Sequence, residues 1–303
     1  MTEDRTNRLA VLRQCFKAGI VSMAAIWETR GVVMNTHSFL SAVSHQVRWP
    51  LIASVLLTCP LQAATLAGYW AFNNPANLGQ ATVGNNLSIV GTAPTYSATL
   101  ADDSSTSLSG VITTTTGTAN RLVATHGITP SPGIYVINYT FVMDIFSPAA
   151  SRSQWRSIFQ TNQSNSNDAD YFIRNSNDQL GVSGIGYSTG SINEGKWTRL
   201  AITIDLNLNG GDVKTYLDGS LFYTHPTNQT TNGTYALDPT VLFFADNDNE
   251  NAPLNVGALA IFSGTMTASE VSALGAVGTA IPETSATLLG GFGMLALLRR
   301  RRA

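Results

Sequence analysis

The sequence contains little charge and almost no cysteine. Charged residues make up 12% of its 303 residues, about half of the ~25% usual in globular proteins, and the formal net charge is −2. A net charge this small excludes a polybasic nucleic-acid-binding protein, so no nucleic-acid partner is expected. Two cysteines, Cys15 and Cys59, cannot build a disulfide-rich scaffold. Apolar residues make up 44% of the chain, which is enough to bury a sizeable core.

The few charges are unevenly distributed along the chain. Residues 1–63 carry a net charge of +3, and so do residues 283–303. Residues 64–282 contain 7 basic and 15 acidic residues and therefore carry a net charge of −8. Basic ends around an acidic middle indicate targeting segments at both ends of an exported domain.

The N-terminal segment, 1–63, is predicted to be a leader with a signal peptide. Arg48 precedes an apolar run at 51–57 and a small-residue cleavage site within 61–64, which is the order of an export signal. Because Arg48 lies far from the first residue, Met34 is an alternative start, and Cys59 leaves a lipoprotein signal as a second alternative. Cleavage within 61–64 removes both cysteines, which excludes disulfides and thiol nucleophiles from the mature domain.

The C-terminal segment, 282–303, combines a short motif, an apolar run and a basic cluster. Pro282 and Glu283 are followed by an uncharged run at 286–298. As a helix, residues 284–298 would extend about 22 Å, and arginines reaching the headgroups could make up the ~30 Å of a bilayer core. The cluster that follows would keep this end cytoplasmic; it consists of Arg299, Arg300, Arg301 and Arg302. The alternative is a terminal core helix with a basic tail.

This order resembles the PEP-CTERM sorting signal of Gram-negative bacteria, in which a Pro-Glu-Pro motif precedes a short membrane helix and a basic cluster. Pro282 and Glu283 match the motif, and Thr284 stands where the family has its second proline. The resemblance implies processing by an exosortase, transient anchoring in the inner membrane, and delivery to the cell surface or the extracellular matrix.

Residues 64–275 have the pattern of an all-β domain, because short β-rich runs alternate with turns rich in Ser, Thr, Asn and Gly. The longest run, 134–146, places alternate residues on two faces: Tyr135, Ile137, Tyr139, Phe141, Met143 and Ile145 on one, and Asn138, Thr140 and Asp144 on the other. Asp218-Gly219 predicts a two-residue hairpin turn. Thr267 and Glu270 predict a helix that begins with a capping box. Residues 276–281 are predicted to be a linker.

Four segments of this domain resemble the laminin-G-like, concanavalin A-like family in its bacterial surface-protein branch: residues 66–72, 195–200, 216–219 and 244–250. The first resembles the family's opening strand, and the third resembles its usual hairpin. The resemblance implies an antiparallel β-sandwich of the jelly-roll type, often with a calcium site, that binds glycans or proteins.

Residues that could catalyse a reaction are scarce. Residues 64–282 contain three glutamates, Glu194, Glu250 and Glu270, whereas a glycosidase needs two closely spaced carboxylates. Asp248 with Glu250 is the one pair within a short run, and it leaves a glycan-active hydrolase as an alternative. The Gly-x-Ser-x-Gly motif at 186–190 matches a nucleophile elbow, but no helical pattern follows it, which favours a surface loop. The protein is therefore expected not to be an enzyme.

Calcium is the cofactor that the acidic loops favour, because it binds about six to eight carboxylate, amide and backbone oxygens. Residues 246–251 offer six consecutive oxygen-bearing side chains. The predicted ligands are Asp246, Asp248 and Glu250 in this loop, with Asp168 and Asp170 as a second group. A solvated acidic loop is the alternative in both places.

A glycan-binding face requires aromatic rings beside polar groups. The tyrosines next to polar loops are the predicted ligand-binding residues: Tyr171, Tyr187, Tyr223 and Tyr235. Trp155 and Trp197 begin apolar runs and are expected in the core, whereas His126 and His225 are expected at the surface. The sequence thus predicts a non-enzymatic, exported surface or matrix protein that binds exopolysaccharide or another surface component. A purely structural surface protein is the main alternative.

Overall fold

The computed structural model describes residues 63–131, 133–162, 169–207, 211–226 and 234–282. These residues form an antiparallel β-sandwich of two sheets, with one α-helix, α1 (Ala268–Ala273), and a short 3-10 helix (Ala149–Ser151). The strands in chain order are β1 (Thr65–Trp70), β2 (Ser88–Val90), β3 (Thr95–Ala101), β4 (Ser107–Thr113), β5 (Arg121–Thr125), β6 (Asn138–Phe146), β7 (Arg156–Gln160), β8 (Asp170–Ile173), β9 (Gln179–Val182), β10 (Gly186–Ser191), β11 (Thr198–Asp205), β12 (Asp212–Leu217), β13 (Ser220–Thr224), β14 (Thr240–Phe243) and β15 (Asn255–Ser263). The prediction of an antiparallel β-sandwich is confirmed.

The two sheets contain eight and seven strands. Seven strands of the eight-stranded sheet have the order β13-β12-β11-β6-β15-β4-β3, and its eighth strand, β1, pairs with β15. The seven-stranded sheet has the order β10-β9-β8-β7-β14-β5-β2. Strand β15 is central in the larger sheet: it pairs with β6 on one side, and with β4 and β1 on the other. The first and last strands of the sandwich therefore lie side by side.

Strand β6 follows the alternation seen in the sequence. Tyr139, Phe141 and Met143 point between the sheets and are fully buried. The predicted strand at 134–146 begins later than expected, at Asn138. The opposite face was predicted to be polar and is also buried, since Thr140 and Asp144 are 0% and 1% exposed.

The main core fills the space between the two sheets. Its centre is a group of aromatic rings, in which Phe141 contacts Phe159 edge-on at 4.8 Å and Phe243 at 5.2 Å between ring centroids. Trp70, at the end of β1, is fully buried in this core and donates its indole N–H to the backbone oxygen of Asn85 at 3.1 Å. Edge-to-face ring pairs of this kind add about 0.5–1.5 kcal/mol each beyond the area that they bury.

Two local predictions are confirmed. Asp218 and Gly219 connect β12 to β13 with φ angles of 48° and 79°, the left-handed values that a type I′ hairpin turn requires. Helix α1 begins with a reciprocal capping box: the Thr267 side chain accepts from the N–H of Glu270, and the Glu270 carboxylate accepts from the N–H of Thr267 at 2.7 Å. Both features arise from residues close together in the sequence.

Residues 275–281, here called the C-terminal strap, lie on the outer face of the eight-stranded sheet. The Arg199 guanidinium donates to the backbone oxygen of Thr279 at 2.6 Å, and the Asp144 carboxylate accepts from the N–H of Gly278 at 2.9 Å. Ile281 is 4% exposed and packs in the same cluster as Val142 of β6. Buried hydrogen-bond partners on β6 and β11 thus hold residues 276–281, the segment predicted to be a linker, against the sheet. The folded domain extends to Ile281.

The predicted leader up to residue 62 and the predicted sorting segment from Glu283 onward lie outside the described residues. Pro282 is the last residue described. Within the described ranges, no helix has the length and apolarity needed to cross a membrane. The signal peptide and the C-terminal membrane helix stay predictions.

Candidate functional site: an aromatic face on the seven-stranded sheet

Strand β8 places one aromatic ring on each side of the seven-stranded sheet. Tyr171 and Ile173 point into the core between the sheets, so Phe172 points to the opposite, outer face. Ser157 of β7 pairs with Phe172 and shares this face. The outer face thus carries an aromatic side chain where a solvent-facing strand normally carries a polar one.

Three rings come together at this position, and we call Trp155, Phe172 and Tyr187 the aromatic face. Tyr187 of β10 pairs with Gly181 of β9, which in turn pairs with Phe172, so both rings lie on the same side of the sheet. Trp155 lies 5.5 Å from Phe172 and 6.1 Å from Tyr187 between ring centroids. Phe172 is 3% exposed beneath its neighbours, whereas Trp155 and Tyr187 remain partly exposed.

Gly181 sets the spacing within the aromatic face. A Cβ atom at this position would lie 2.2 Å from the backbone oxygen of Gly186 and 2.7 Å from the Cα of Tyr187. Since real Cβ atoms do not approach so closely, a larger residue would push β10 away from β9. The glycine therefore keeps the strand that carries Tyr187 close to the strand that carries Phe172.

Polar groups with unfilled hydrogen-bonding capacity lie among the rings. The Tyr187 hydroxyl and the Ser157 hydroxyl are both buried and have no hydrogen-bond partner within the described part of the chain. The Arg174 guanidinium lies over the Tyr187 ring at 5.1 Å from its centroid. Leaving a buried polar group unpaired costs about 1–3 kcal/mol, so these two hydroxyls lower the stability of this part of the sheet.

The acidic loop at 246–251 adjoins the aromatic face. The N–H of Ala252, which directly follows the loop, donates to the backbone oxygen of Trp155 at 2.9 Å. Within the loop, one carboxylate oxygen of Asp246 accepts from the N–H groups of Asp248 at 2.6 Å and Glu250 at 2.8 Å. Burial, followed by the charges of Asp246 and Asp248, raises the pKa of Glu250. The loop is thus folded around a buried aspartate and presents further carboxylates beside Trp155.

The pKa of Tyr187 depends on the charges of the groups around it. Burial raises the pKa of Tyr187, the Arg174 charge lowers it, and the carboxylates of Glu250 and Asp170 raise it. Asp170 lies on β8 two residues before Phe172, hence on the same outer face, and its carboxylate accepts from the Gln160 amide. Both predicted acidic groups therefore border the aromatic face.

The calcium prediction stays a prediction. Asp246 is 4% exposed, and the backbone already engages one of its oxygens. Asp168 lies outside the described residues. Across the described ranges, no group of three or more His, Cys, Asp or Glu side chains is placed to hold a metal ion.

Two of the predicted glycan-binding tyrosines lie in the core. Tyr171 and Tyr235 are both 0% exposed, which excludes them from a surface binding face. The Tyr171 hydroxyl lies 2.6 Å from the Thr215 hydroxyl and 3.2 Å from Nε2 of His225. Tyr223 is partly exposed and packs edge-on against His225, with 4.6 Å between ring centroids. The assignment of Tyr171 and Tyr235 as surface residues is corrected: Thr215 and His225 partner the Tyr171 hydroxyl, whereas the Tyr235 hydroxyl is buried with no partner among the described residues.

Both histidines were expected at the surface and are instead buried. His126 is 4% exposed; its Nδ1 accepts from the N–H of Ile128 at 3.0 Å, so its Nε2 carries the proton donated to the backbone oxygen of Asp238. His225 is 2% exposed, and its Nδ1 has no partner within the described residues. Burial lowers the pKa of both imidazoles, that of His225 to about 4.

The remaining residues singled out in the sequence make contacts that stabilise the fold. Ser188 of the Gly-x-Ser-x-Gly motif lies on β10 rather than in a loop, where its hydroxyl accepts from the N–H of Leu180 and donates to the backbone oxygen of Gly190. Glu194 contacts the buried guanidinium of Arg156. Trp197 is 4% exposed, as expected for a core residue, whereas Trp155 is partly exposed. Sequence reasoning missed Trp155, Phe172 and Arg174 as site residues; the one usable signal was the uninterrupted apolar run 171–173 in β8, whose middle residue must face away from the core.

Comparison with known proteins gives similarity of fold at low identity. No protein-family model and no curated protein sequence matches this chain. Similar solved structures include the botulinum neurotoxin serotype D binding domain (16% identity, TM-score 0.49, covering 69% of this chain and 51% of that chain). The serotype D ligand binding domain in complex with N-acetylneuraminic acid gives 17% identity, a TM-score of 0.47, and coverage of 69% and 50%. Thus the chain spans about half the length of these toxin chains.

A further similar structure is domain 4 of AbnA, an extracellular arabinanase from Geobacillus stearothermophilus, in complex with arabinotriose. It shares 18% identity with a TM-score of 0.46, and the match covers 70% of this chain and 98% of that domain. Similarity at this level assigns no function to this chain.

Proposed function

We propose that this domain binds a polysaccharide chain across the outer face of the seven-stranded sheet. The observation that carries the proposal is the aromatic face, three rings grouped outside the core, of which Trp155 and Tyr187 are partly exposed. Aromatic rings cover the apolar C–H faces of sugars, and nearby polar side chains hydrogen-bond to sugar hydroxyls. Trp155 and Tyr187 would supply the ring contacts, and the partly exposed side chains of Arg174 and Glu250 would supply hydrogen bonds.

The other sheet offers less open surface for this purpose. The outer face of the eight-stranded sheet is covered by α1 and the C-terminal strap, which bury Val142, Ala260 and Phe262. In the seven-stranded sheet, the rings of Trp155 and Tyr187 remain partly exposed. A ligand that lies flat on the seven-stranded sheet therefore finds two neighbouring, partly exposed rings, Trp155 and Tyr187.

Binding without cleavage is part of the proposal. Glu194 is engaged by Arg156, and Glu270 is engaged by the N-terminus of α1, so neither is free to act as an acid or base. Asp248 and Glu250 lie in one loop, with Glu250 close enough to act on Tyr187, and keep a glycan-active hydrolase as the second proposal, whose signature would be reducing ends released from a bound polysaccharide.

Replacing Trp155 with Ala is expected to weaken polysaccharide binding at least about tenfold, because one ring contact of the aromatic face is lost. Tyr187→Ala removes the second partly exposed ring and should weaken binding to a similar extent. The measurement is biolayer interferometry of the full-length chain, in a polyoxyethylene detergent, on immobilised neutral glucans. The matched control is Tyr96→Ala, a partly buried tyrosine on edge strand β3 of the other sheet, which should leave binding unchanged. Equal binding by wild type and Trp155→Ala would contradict the proposal.

We further propose that the domain is exported and sorted by an exosortase-type signal. The support lies in the sequence: a net charge of −8 in residues 64–282 between basic segments, with Pro282, Glu283 and the arginine cluster in the order of a sorting signal. Replacing Arg299 to Arg302 together with Gln should abolish retention and processing of the C-terminal segment in a Gram-negative host that has an exosortase. The readout is cell fractionation with an epitope inserted after Pro282. Unchanged fractionation and size of the quadruple variant would overturn the assignment.

A further inference from the structure

Resting on the function proposed above, we propose that the aromatic face selects uncharged polysaccharides and rejects polyanionic ones such as uronates and sulfated glycans. The inference concerns the charge of the ligand, which the rings alone do not determine. The carboxylates of Asp170 and Glu250 lie close enough to act on the Tyr187 ring, and Asp248 is a third carboxylate in the same loop as Glu250.

The first carboxylate is fixed by the sheet itself. Asp170 lies two residues before Phe172 on β8, so both side chains project from the outer face about 7 Å apart along the strand. Asp170 is partly exposed, and its Oδ1 accepts from the Gln160 amide on the neighbouring strand. The Asp170 carboxylate therefore lies on the same face of β8 as the Phe172 ring.

The other two carboxylates are held by the acidic loop. Asp246 is buried and accepts both backbone N–H groups of the turn, which leaves Asp248 exposed and Glu250 partly exposed. The hydrogen bond from Ala252 to the backbone oxygen of Trp155 fixes the loop beside the aromatic face. The loop thus presents negative charge next to the exposed tryptophan.

Positive charge at the site does not balance these groups. Arg174 lies over the Tyr187 ring and is partly exposed. Arg156 is 0% exposed and contacts Asp178 and Glu194, so its charge is already paired inside the domain. Among the described residues, an anionic ligand on the rings would meet one accessible cation, Arg174, and the carboxylates of Asp170 and Glu250, with Asp248 in the adjoining loop.

One further effect acts in the same direction. The net charge of −8 on residues 64–282 also slows the approach of polyanions at low ionic strength. Because exposed charges are screened over about 10 Å at 0.1 M salt, the selectivity is expected to weaken as salt is added.

The test compares the binding of the protein to each neutral polymer with its binding to the carboxymethyl derivative of the same polymer. Full-length chain in a polyoxyethylene detergent is measured by biolayer interferometry on hydroxyethyl cellulose, dextran and curdlan, and on the carboxymethyl derivative of each. At 20 mM NaCl we expect at least one neutral polymer to bind and its carboxymethyl form to bind at least about tenfold more weakly. At 500 mM NaCl the difference should shrink to a few-fold.

Variants that lack the loop carboxylates test whether these groups cause the selectivity. Asp248→Asn combined with Glu250→Gln should narrow the difference between the neutral and carboxymethyl polymers at 20 mM NaCl. Asp212→Asn is the matched control, a carboxylate on β12 of the other sheet that is paired with Lys214, and should leave the difference unchanged. Equal or tighter binding of the carboxymethyl form would overturn the inference while leaving the proposed function intact. Binding to none of the six polymers would overturn both.

Discussion

Asp144→Asn is expected to lower the free energy of unfolding by about 3–5 kcal/mol, because it leaves a buried arginine without its counter-charge. Asp144 and Arg199 are each 1% exposed and form a two-pronged ion pair, with Nε to Oδ1 at 2.8 Å and the second nitrogen to Oδ2 at 2.9 Å. Asn can accept one of these hydrogen bonds but carries no negative charge. The same substitution weakens the bond to Gly278 and so loosens the C-terminal strap.

Urea unfolding followed by tryptophan fluorescence measures this effect. The matched control is Asp103→Asn, which removes an ion pair with Arg152 whose side chains are 54% and 26% exposed. An exposed pair contributes about 0–1 kcal/mol, so the control should change little. Limited proteolysis should cut Asp144→Asn first within 275–281. A loss no larger than that of Asp103→Asn would show that the buried pair does not hold the strap.

Lowering the pH from 6.5 to 4 is expected to remove about 3 kcal/mol of stability through His225 alone. Burial lowers the pKa of His225 from 6.5 to about 4, so the unfolded chain binds the proton more tightly than the folded one. The contribution of the neutral imidazole is therefore fully present above pH 6.5 and is lost as the pH falls towards 4. The lowered pKa of His126 acts in the same direction.

The difference between wild type and His225→Phe isolates this contribution. Tyr171 and Thr215 remain hydrogen-bonded to each other at 2.6 Å in the variant, and phenylalanine fills a similar volume without a titratable group. Urea midpoints measured from pH 7 to pH 4 should fall less steeply for His225→Phe, while His126 and the carboxylates contribute equally to both proteins. Parallel pH profiles would contradict the assignment of a buried neutral His225.

The parts of the fold that the sequence predicts correctly are those specified by neighbouring residues. The alternation in β6, the Asp218-Gly219 turn and the capping box of Thr267 each depend on contacts within a few residues. The C-terminal strap depends on Arg199, whose hydrogen bonds reach 75 to 80 residues along the chain. Small residues such as those at 275–279 look like a linker until the buried groups that hold them are known.

The sequence predicts only part of the candidate site, because the burial of a side chain depends on residues that are distant in the sequence. Tyr187 was identified because polar residues surround it, but the same criterion selected Tyr171 and Tyr235, which are buried. Tyrosine, with an apolar ring and one polar atom, suits both places, and the choice depends on partners such as Thr215, 44 residues from Tyr171. Trp155 begins an apolar run and resembles a core residue, although the sheet turns it outward.

The central position of β15 has a consequence for how the protein is made. Strand β15 is the last strand to be synthesised, yet it joins β6 to β4 and β1, and its pairing with β1 connects residues at opposite ends of the domain. Contacts between distant residues slow folding, since a long chain segment must be closed before any of them forms. The eight-stranded sheet cannot be completed while residues 255–263 remain in the ribosome. A nascent chain of this domain therefore stays incompletely folded until β15 has left the ribosome.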